Sequence, residues 1–267
     1  MSKVLAVDID AMIYYESYKD NVRDALDGID TRMERLFRET GCNNYVAFLT
    51  EGKCFRYDIA KSSPYKGSRK SEKPPLHNIL KAYLKSEYNA ISIDGIEADD
   101  AVMLMANNLV SSKVVICSPD KDVLLTYPGT HFNFQMTREV DGVPSHSKGF
   151  VTTTEAEAAR FLCEQWIHGD STDGIEGIKG VGPAKAAKIL DAVGKGESLE
   201  AAILKAYTDK YGVVDGVGRF AETLKLVYML RTQEDMMRET GREFVMPEIQ
   251  TYIPKVEVVQ KPLFGQS

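Results

Sequence analysis

Five acidic side chains fall into two short clusters, each at the edge of an apolar segment. The first cluster begins a helix pattern and the second follows an apolar run at 114–117; together they are Glu97, Asp99, Asp100, Asp120 and Asp122. Carboxylates crowded into a poorly hydrated cleft repel one another, so leaving them bare would cost folding free energy. A hard divalent cation would neutralise them, and oxygen-only ligands indicate Mg²⁺ or Mn²⁺. The pattern predicts a metal site suited to phosphodiester hydrolysis in nucleic acid.

Further acids stand at either end of this stretch. Asp8 ends an apolar strand pattern at 3–9, Asp10 follows it, and Asp170 and Asp173 lie in a glycine-rich segment. If the strands are parallel and adjacent, these side chains converge at one edge of the sheet. Two metal ions roughly 4 Å apart could then activate water and stabilise the leaving oxygen. The alternative, that acids merely complement a helix dipole, accounts for Glu97 and Asp99 but not for the whole set.

Two segments could hold phosphate. Residues 53–73 carry seven basic side chains against Asp58 and Glu72, namely Lys53, Arg56, Lys61, Lys66, Arg69, Lys70 and Lys73. This strip suits a polyanion, although a solvated surface loop is the alternative. The second segment has Gly180 and Gly182 before a helix pattern that contains Lys185 and Lys188. Such a turn exposes backbone N–H groups at a helix N-terminus, where they bind phosphate without reading a base.

Bulk properties limit the class of protein. The chain has 267 residues, 43% hydrophobic and 27% charged, with a net charge of −6. No segment has the roughly 18 uncharged apolar residues of a membrane span, and the N-terminus lacks the pattern of a signal peptide. Four scattered cysteines favour a reducing cytoplasm over a disulfide framework, and four dispersed histidines disfavour the usual zinc spacings.

Alternating strand and helix patterns predict an α/β fold with a mostly parallel sheet. Strands are predicted at 3–9, 45–49, 90–93, 114–117 and 131–134, with a possible edge hairpin at 54–59. Helices are predicted at 22–40, 76–84, 97–109, 156–166, 183–190, 199–211 and 220–237. Residues 62–73 should form a mobile loop, Trp166 should anchor a core, and the chain after Pro247 should lie on the surface.

In this order the motifs resemble the 5′-nuclease (flap endonuclease-like) family, particularly its bacteriophage and bacterial polymerase-associated 5′→3′ exonucleases. The resemblance covers about 3–190 and rests on Val7-Asp8, Glu97-Ala98-Asp99-Asp100, Asp120-Lys121-Asp122, and Gly169-Asp170-Ser171-Thr172-Asp173 followed by Gly177-Ile178-Lys179-Gly180-Val181-Gly182. It implies a PIN-like sheet flanked by helices, with a nuclease core at 1–150 and a helical arch at about 60–88. It also implies a helical region at 151–267, with a helix–hairpin–helix (helix–two-turn–helix) DNA-binding element at about 169–190.

The resemblance also implies roles for particular residues. Tyr65-Lys66-Gly67-Ser68-Arg69 is similar to the base of the arch, so Lys66 and Arg69 should contact the scissile phosphate, whereas simple phosphate tethering is the alternative for Arg69. Tyr65 should stack on a base or anchor the loop. Where the family has glycine after the first-strand aspartate, this chain has Ile9-Asp10, so Asp10 is an extra metal ligand or a supporting acid. Glu51, or else Thr50, occupies the place of the acid after the second strand.

The implied activity is Mg²⁺-dependent cleavage of DNA near 5′ ends, flaps and single-strand/duplex junctions, with two ions and with K⁺ at the hairpin. RNA primers or RNA/DNA hybrids are further candidate substrates, and a monomer acting in DNA replication in the cytoplasm of a bacterium or a phage-infected cell is expected. The recruiting partner is not predicted.

Three alternative functions explain part of the sequence pattern. A haloacid-dehalogenase-type phosphatase would use Asp8 as a nucleophile, but it leaves the acids at 97–122 unexplained. A nucleic-acid clamp of the same fold, with weak catalysis or none, fits the turn and the basic strip, but has little use for acids that face a polyanion. A PIN-type ribonuclease is disfavoured by the extra hairpin.

Overall fold

A central sheet of six strands organises the part of the chain that the computed structural model describes, residues 3–69, 72–109, 113–136 and 147–254. The strands in chain order are β1 (Val4–Asp8), β2 (Asn44–Phe48), β3 (Val114–Cys117), β4 (Gly129–Met136), β5 (Ser147–Thr153), β6 (Gly169–Asp170), β7 (Ile175–Glu176) and β8 (Gln250–Thr251). The sheet order is β5-β4-β3-β1-β2-β8, and β6 pairs with β7 separately. Strands β1 to β4 are parallel and the two edge strands antiparallel, which confirms the mostly parallel sheet.

Helices cover both faces of the sheet and form a further layer in the C-terminal half. They are α1 (Asp10–Glu16), α2 (Val22–Thr40), α3 (Arg56–Ile59), α4 (His77–Tyr88), α5 (Ala98–Asn108), α6 (Lys121–Thr126), α7 (Glu155–His168), α8 (Pro183–Asp191), α9 (Leu199–Tyr211), α10 (Val213–Val227) and α11 (Gln233–Thr240). None of these helices is long and apolar enough to cross a membrane.

Two apolar cores lie on opposite faces of the sheet. Helices α1, α2 and α4 bury one face, where Ile13, Met33 and Leu80 are fully covered. Helix α5 covers the other face and is itself buried on nearly all sides. Its Val102 and Met105 have zero exposure. Burial on both faces explains why β1 reads as a continuous apolar run rather than an alternating one.

Helices α7 to α10 enclose a third core. Ile167, Ile178, Ala186, Tyr207 and Phe220 form its buried centre. Trp166 packs edge-on against Phe220, with ring centroids 6.2 Å apart, so it anchors this core as predicted. Because the segment 175–182 packs between these helices, its turns are held by apolar burial on one side.

Several local predictions were wrong. The stretch 54–59 contains the short helix α3 instead of an edge hairpin. The predicted strand at 90–93 is reduced to a single bridge between Phe48 and Ile91. The helix predicted at 220–237 is two helices, because α10 begins at Val213 and ends at Val227 before α11 starts at Gln233.

The expected helical arch differs from what the described residues show. Between 60 and 76, outside 70–71, they form turns, and the next helix is α4. Leu80, Leu84 and Tyr88 of α4 belong to the core against α2, so this helix packs on the body of the protein. Lys70, counted in the basic strip, lies outside the described residues.

The chain after Pro247 is also more ordered than expected up to residue 254. Thr251 and Gln250 pair with β2 as strand β8. Tyr252 stacks on Phe37, with ring centroids 4.0 Å apart. An aromatic anchor therefore fixes the edge of the sheet, and residues 255–267 lie outside the described part.

Candidate active site

The predicted acids converge on one cleft at the carboxyl ends of the parallel strands. Val7 of β1 is paired with Cys117 of β3, so the acids that follow each strand come together. The cleft has a volume of about 760 Å³. Nine of the ten candidate metal ligands line it, namely Asp8, Asp10, Glu51, Glu97, Asp99, Asp120, Asp122, Asp170 and Asp173. The parallel register, which the sequence could only imply, thus groups residues that are far apart in the chain.

Asp8 occupies the floor of the cleft. Its carboxylate accepts from Ser118 Oγ at 3.0 Å and from the Asp10 backbone N–H at 3.2 Å. Burial, followed by the charges of Asp10 and Asp120, raises its pKa to about 7. A cation in the cleft would therefore relieve a large part of the cost of ionising it.

Asp10 begins helix α1 and faces the end of β2. Both of its oxygens accept from the backbone N–H of Thr50, at 3.1 and 3.2 Å. Burial raises its pKa, and these hydrogen bonds act against that effect. Next to it, Glu51 is bound by the ammonium of Lys85 at 2.5 Å and lies 3.6 Å from that of Lys81, so it already has counter-charges.

Glu97 is the buried N-cap of helix α5 and is held by three side chains. The ammonium of Lys66 contacts its Oε1, the hydroxyl of Tyr65 donates to its Oε2 at 2.6 Å, and Arg56 lies 3.6 Å away. Burial would raise the pKa of Glu97, but the cations Lys66 and Arg56 lower it below its usual value. Burial together with Glu97 and Asp8 raises the pKa of Asp99, two residues later, well above its usual value, although the charge of Lys66 acts in the opposite direction.

Asp100, the tenth candidate ligand, is not among the residues that line the cleft. Its two oxygens accept from the two terminal nitrogens of Arg56 at 2.7 and 2.8 Å. They also accept from the backbone N–H groups of Glu97 at 3.2 Å and Leu230 at 2.9 Å. With zero exposure and these donors in place, the Asp100 carboxylate supports the start of α5, and its role as a metal ligand stays a prediction.

A second group of acids lines the opposite side. Asp122 accepts from Gln165 Nε2 at 2.8 Å, and its interaction with Asp170 contributes to raising its own pKa. Burial and the charge of Asp120 raise the pKa of Asp122 to about 7. Asp120 itself is exposed and caps helix α6 through the Asp122 N–H at 2.8 Å.

The segment 61–69, here named the cationic loop, brings positive charge to the cleft. Arg69 contacts Asp173 at 2.5 Å, and Lys66 lies 3.8 Å from the same carboxylate. Lys66 has a φ of 53°, a strained conformation for a non-glycine residue, and its N–H bonds to the Asp173 carbonyl at 2.7 Å. Strain of this kind persists only where surrounding contacts impose it, so the Lys66 side chain is held against the acids.

Tyr65 cannot present its ring to a base in this arrangement. The side chain is buried, with its hydroxyl 2.6 Å from Glu97 and 3.1 Å from Asp173. These contacts favour loop anchoring over base stacking as the role of Tyr65. Arg56, counted in the basic strip, is likewise buried and bonded to Asp100.

The glycine-rich turn lies apart from the cleft lining. Gly180 has a φ of 84°, Gly182 is the N-cap of helix α8, and both are exposed. The ammonium of Lys185 donates to the Gly180 carbonyl at 2.8 Å, and Lys188 is exposed on the same helix. The turn therefore offers backbone N–H groups and two cations to solvent.

Sequence reasoning missed several side chains that line the cleft. Helix α1, which was not predicted, contributes Tyr14 and Tyr15, which are 48% and 38% exposed. Tyr57 of α3 is 40% exposed in the same cleft, and Lys81 of α4 also lines it. The spacing of Ala11, Tyr14 and Tyr15 on one helix face was the available signal, and the short length of α1 concealed it.

The donor set fits a hard divalent cation, although the side chains are not arranged around one. Among the residues described, no three acidic, histidine or cysteine side chains form a ready-made group for one ion. The nine candidate ligands that line the cleft are all carboxylates, and four of them have pKa values raised by burial and by neighbouring acids, namely Asp8, Asp10, Asp99 and Asp122. Oxygen ligands under such repulsion are the chemistry that Mg²⁺ and Mn²⁺ satisfy. Metal binding would require Glu97 to exchange Lys66 for the ion.

Comparison with known proteins agrees with this geometry. The flap endonuclease Xni of Colwellia psychrerythraea strain 34H is 31% identical over 196 residues, which are 70% of this chain and 63% of that relative. A 5′-3′ exonuclease of Mycoplasmopsis pulmonis is 26% identical over 257 residues, 89% of this chain and 83% of the relative. No family model matches the chain.

The fold also has a solved counterpart. The crystal structure of the T5 D15 protein, co-crystallized with metal ions, has a TM-score of 0.60 at 17% identity, covering 90% of this chain and 97% of that one. The core of Rad2 in complex with a DNA substrate has a TM-score of 0.51 at 15% identity, with 91% and 89% covered. With the parallel sheet, the acidic cleft and these relatives taken together, the chain is similar to proteins of the 5′-nuclease, flap endonuclease-like family.

Proposed function

We propose that the protein is a Mg²⁺- or Mn²⁺-dependent 5′-nuclease that hydrolyses phosphodiester bonds of DNA near 5′ ends, flaps and single-strand/duplex junctions. The observation that carries the proposal is the single cleft in which buried, mutually repelling carboxylates face Lys66 and Arg69. The curated relatives that act on 5′ ends support the substrate class.

Lys66 and Arg69 would act on the phosphate. Both are now paired with carboxylates, Lys66 with Glu97 and Arg69 with Asp173. Cations in a partly buried cleft stabilise charge that develops on a phosphoryl group more strongly than cations in water do. Arg69 is half exposed, so a phosphate can reach it from solvent without displacing apolar packing.

The carboxylates would hold the metal. Asp8, Asp99 and Glu97 are one group of neighbouring acids, and Asp120, Asp122 and Asp170 are the other, so the cleft offers ligands for two ions. When bound, divalent ions supply a nucleophilic water at neutral pH and neutralise the leaving oxygen. Asp173 is the acid that Arg69 would release as phosphate enters, and Asp10 and Glu51 already have partners in Thr50 and in lysines 81 and 85.

The glycine-rich turn would hold the duplex. Exposed N–H groups at the start of α8, with Lys185 and Lys188, contact phosphates without reading sequence. This assigns the helix–hairpin–helix role to residues 169–190, which follow α7 directly and contain the β6–β7 hairpin and most of α8. A K⁺ ion at this turn stays a prediction, and Lys185 already binds the Gly180 carbonyl there.

The test is cleavage of an internally labelled 5′-flap duplex in Mg²⁺ or in EDTA. We expect Mg²⁺-dependent products near the junction, and loss of product in Asp99→Asn or Asp120→Asn with folding retained. A matched flap of RNA determines the sugar preference. Tight, metal-independent binding by the wild-type protein without any product in Mg²⁺ or Mn²⁺ would overturn the proposal in favour of a nucleic-acid clamp.

A further inference from the structure

Helix α10 contacts both ends of the machinery proposed above. Thr223 Oγ1 donates to the carbonyl of Glu176 in β7 at 2.9 Å, beside the glycine-rich turn. At the end of the helix, the Leu226 carbonyl accepts from Arg56 Nε at 2.9 Å. Because Arg56 also binds Asp100, α10 is fixed to the start of the acid-bearing helix α5.

Between these two contacts, Glu222 binds the start of the cationic loop. Its Oε1 accepts from the backbone N–H groups of Lys61 and Ser62, both at 2.7 Å. Its Oε2 accepts from Ser62 Oγ, also at 2.7 Å. Partial burial would raise the pKa of Glu222, and these donors lower it instead. One carboxylate thus holds two consecutive backbone amides of an exposed segment.

The middle of the cationic loop is also held by the C-terminal half of the protein. The Lys66 N–H donates to the Asp173 carbonyl, and Arg69 contacts the Asp173 side chain. Gly174 approaches the loop so closely that a Cβ there would lie 3.0 Å from the Pro64 carbonyl. The loop is therefore attached at its start by Glu222 and in its middle by 173–174.

We propose that Glu222 is a positioning residue that holds the cationic loop at the distance from α5 at which Lys66 faces Glu97. The effect of Glu222 on the cleavage rate rests on the proposed function. Lys61 and Ser62 are exposed, so without a hydrogen-bond partner this stretch would sample many conformations. Helix α10 replaces that freedom with hydrogen bonds to a charged acceptor, while Arg56 fixes α10 to the acids.

The experiment compares Glu222→Ala, Glu222→Gln and the control Asp215→Ala, an acid earlier on the same helix. Amide hydrogen exchange at Lys61 and Ser62 reports the tether without any reference to catalysis. Single-turnover cleavage of the 5′-flap duplex, with the Kd for the duplex measured in Ca²⁺, separates rate from affinity. Thermal unfolding shows that each variant folds.

In Glu222→Ala we expect exchange at both amides to rise, and the cleavage rate to fall, by at least about tenfold each, since hydrogen bonds to a charged group are lost. The Kd should stay unchanged. Glu222→Gln should restore protection and most of the rate, because its amide oxygen still accepts, and Asp215→Ala should match the wild type.

Unchanged exchange in Glu222→Ala would overturn the tether. Raised exchange with an unchanged cleavage rate would overturn the positioning role. If the wild-type protein does not cut the duplex, the proposed function fails, and the exchange data alone still decide whether Glu222 holds the loop.

Discussion

Replacing Asp8 with asparagine should stabilise the metal-free protein at alkaline pH. Burial and the neighbouring acids raise the Asp8 pKa from 3.8 to about 7. A carboxyl with a raised pKa binds more protons in the folded state than in the unfolded state, so folding stability falls as pH rises from 3.8 to about 7 and stays low above it. Asparagine cannot ionise and removes that loss.

The size of the effect follows from the pKa. At pH 8 the ionised carboxylate costs the folded state at most about 4 kcal/mol, and at pH 5 about 1.6 kcal/mol. The asparagine amide faces Ser118 Oγ and the Asp10 N–H, and imperfect replacement of these hydrogen bonds costs about 1 kcal/mol at either pH. From pH 5 to pH 8, the free energy of unfolding of the variant should therefore rise by roughly 2 to 3 kcal/mol relative to that of the wild type.

The assay is thermal and urea unfolding in EDTA at pH 5 and pH 8, with Asp215→Asn as a control for loss of a surface charge. The gain corresponds to a relative rise in Tm of roughly 5 to 10 °C for a chain of this size. Excess Mg²⁺ should raise the Tm of the wild type at pH 8 and have less effect on Asp8→Asn. An equal change in Tm at both pH values would refute the argument, because the effect would then come from packing rather than from charge.

Three further changes test other contacts. Lys66→Ala should slow single-turnover cleavage by about 100-fold with little change in the Kd for the duplex; an effect confined to the Kd would make Lys66 a tether only. Arg56→Met leaves the Asp100 carboxylate buried and unpaired, so urea unfolding should show a loss of about 3 to 5 kcal/mol, with partial recovery in Arg56→Met combined with Asp100→Leu. A stability equal to wild type in the single variant would rule out a stabilising Arg56–Asp100 ion pair. Gly177→Ala would place a Cβ 2.4 Å from a backbone oxygen of α7 and should cost about 3 kcal/mol, whereas Gly182→Ala has open space and should cost less than about 1 kcal/mol; similar losses would rule out the clash.

The sequence predicted the cleft because its signals are local. Each acid follows an apolar run or starts a helix, and parallel strands bring such positions to one edge whatever their distance in the chain. Asn21 and Gly41 cap the two ends of helix α2, which lie where the pattern indicated. These features need no knowledge of long-range partners, which is why they were predictable.

The contacts that could not be predicted have the opposite origin. Asp100 reads as one more acid of a cluster, and its partner Arg56 is 44 residues away in a segment that reads as a basic surface strip. For Tyr65 the sequence leaves base stacking and loop anchoring open, and only the structure brings Glu97 and Asp173 within reach of its hydroxyl. The break between α10 and α11 coincides with Arg56 binding the carbonyls of Leu226 and Tyr228. In each case a long-range buried contact decides what the local pattern leaves open.

If the protein acts as proposed, the charge balance of the cleft couples metal binding to substrate binding. Lys66 and Arg69 now neutralise Glu97 and Asp173, so divalent ions alone would bring cations beside cations. A phosphate alone would meet carboxylates whose counter-charges it must take away. Phosphate and divalent ions should therefore bind more favourably together than separately, because the ions neutralise the carboxylates that give up Lys66 and Arg69 to the phosphate. Affinity for Mg²⁺ should consequently rise when a 5′-flap duplex is present.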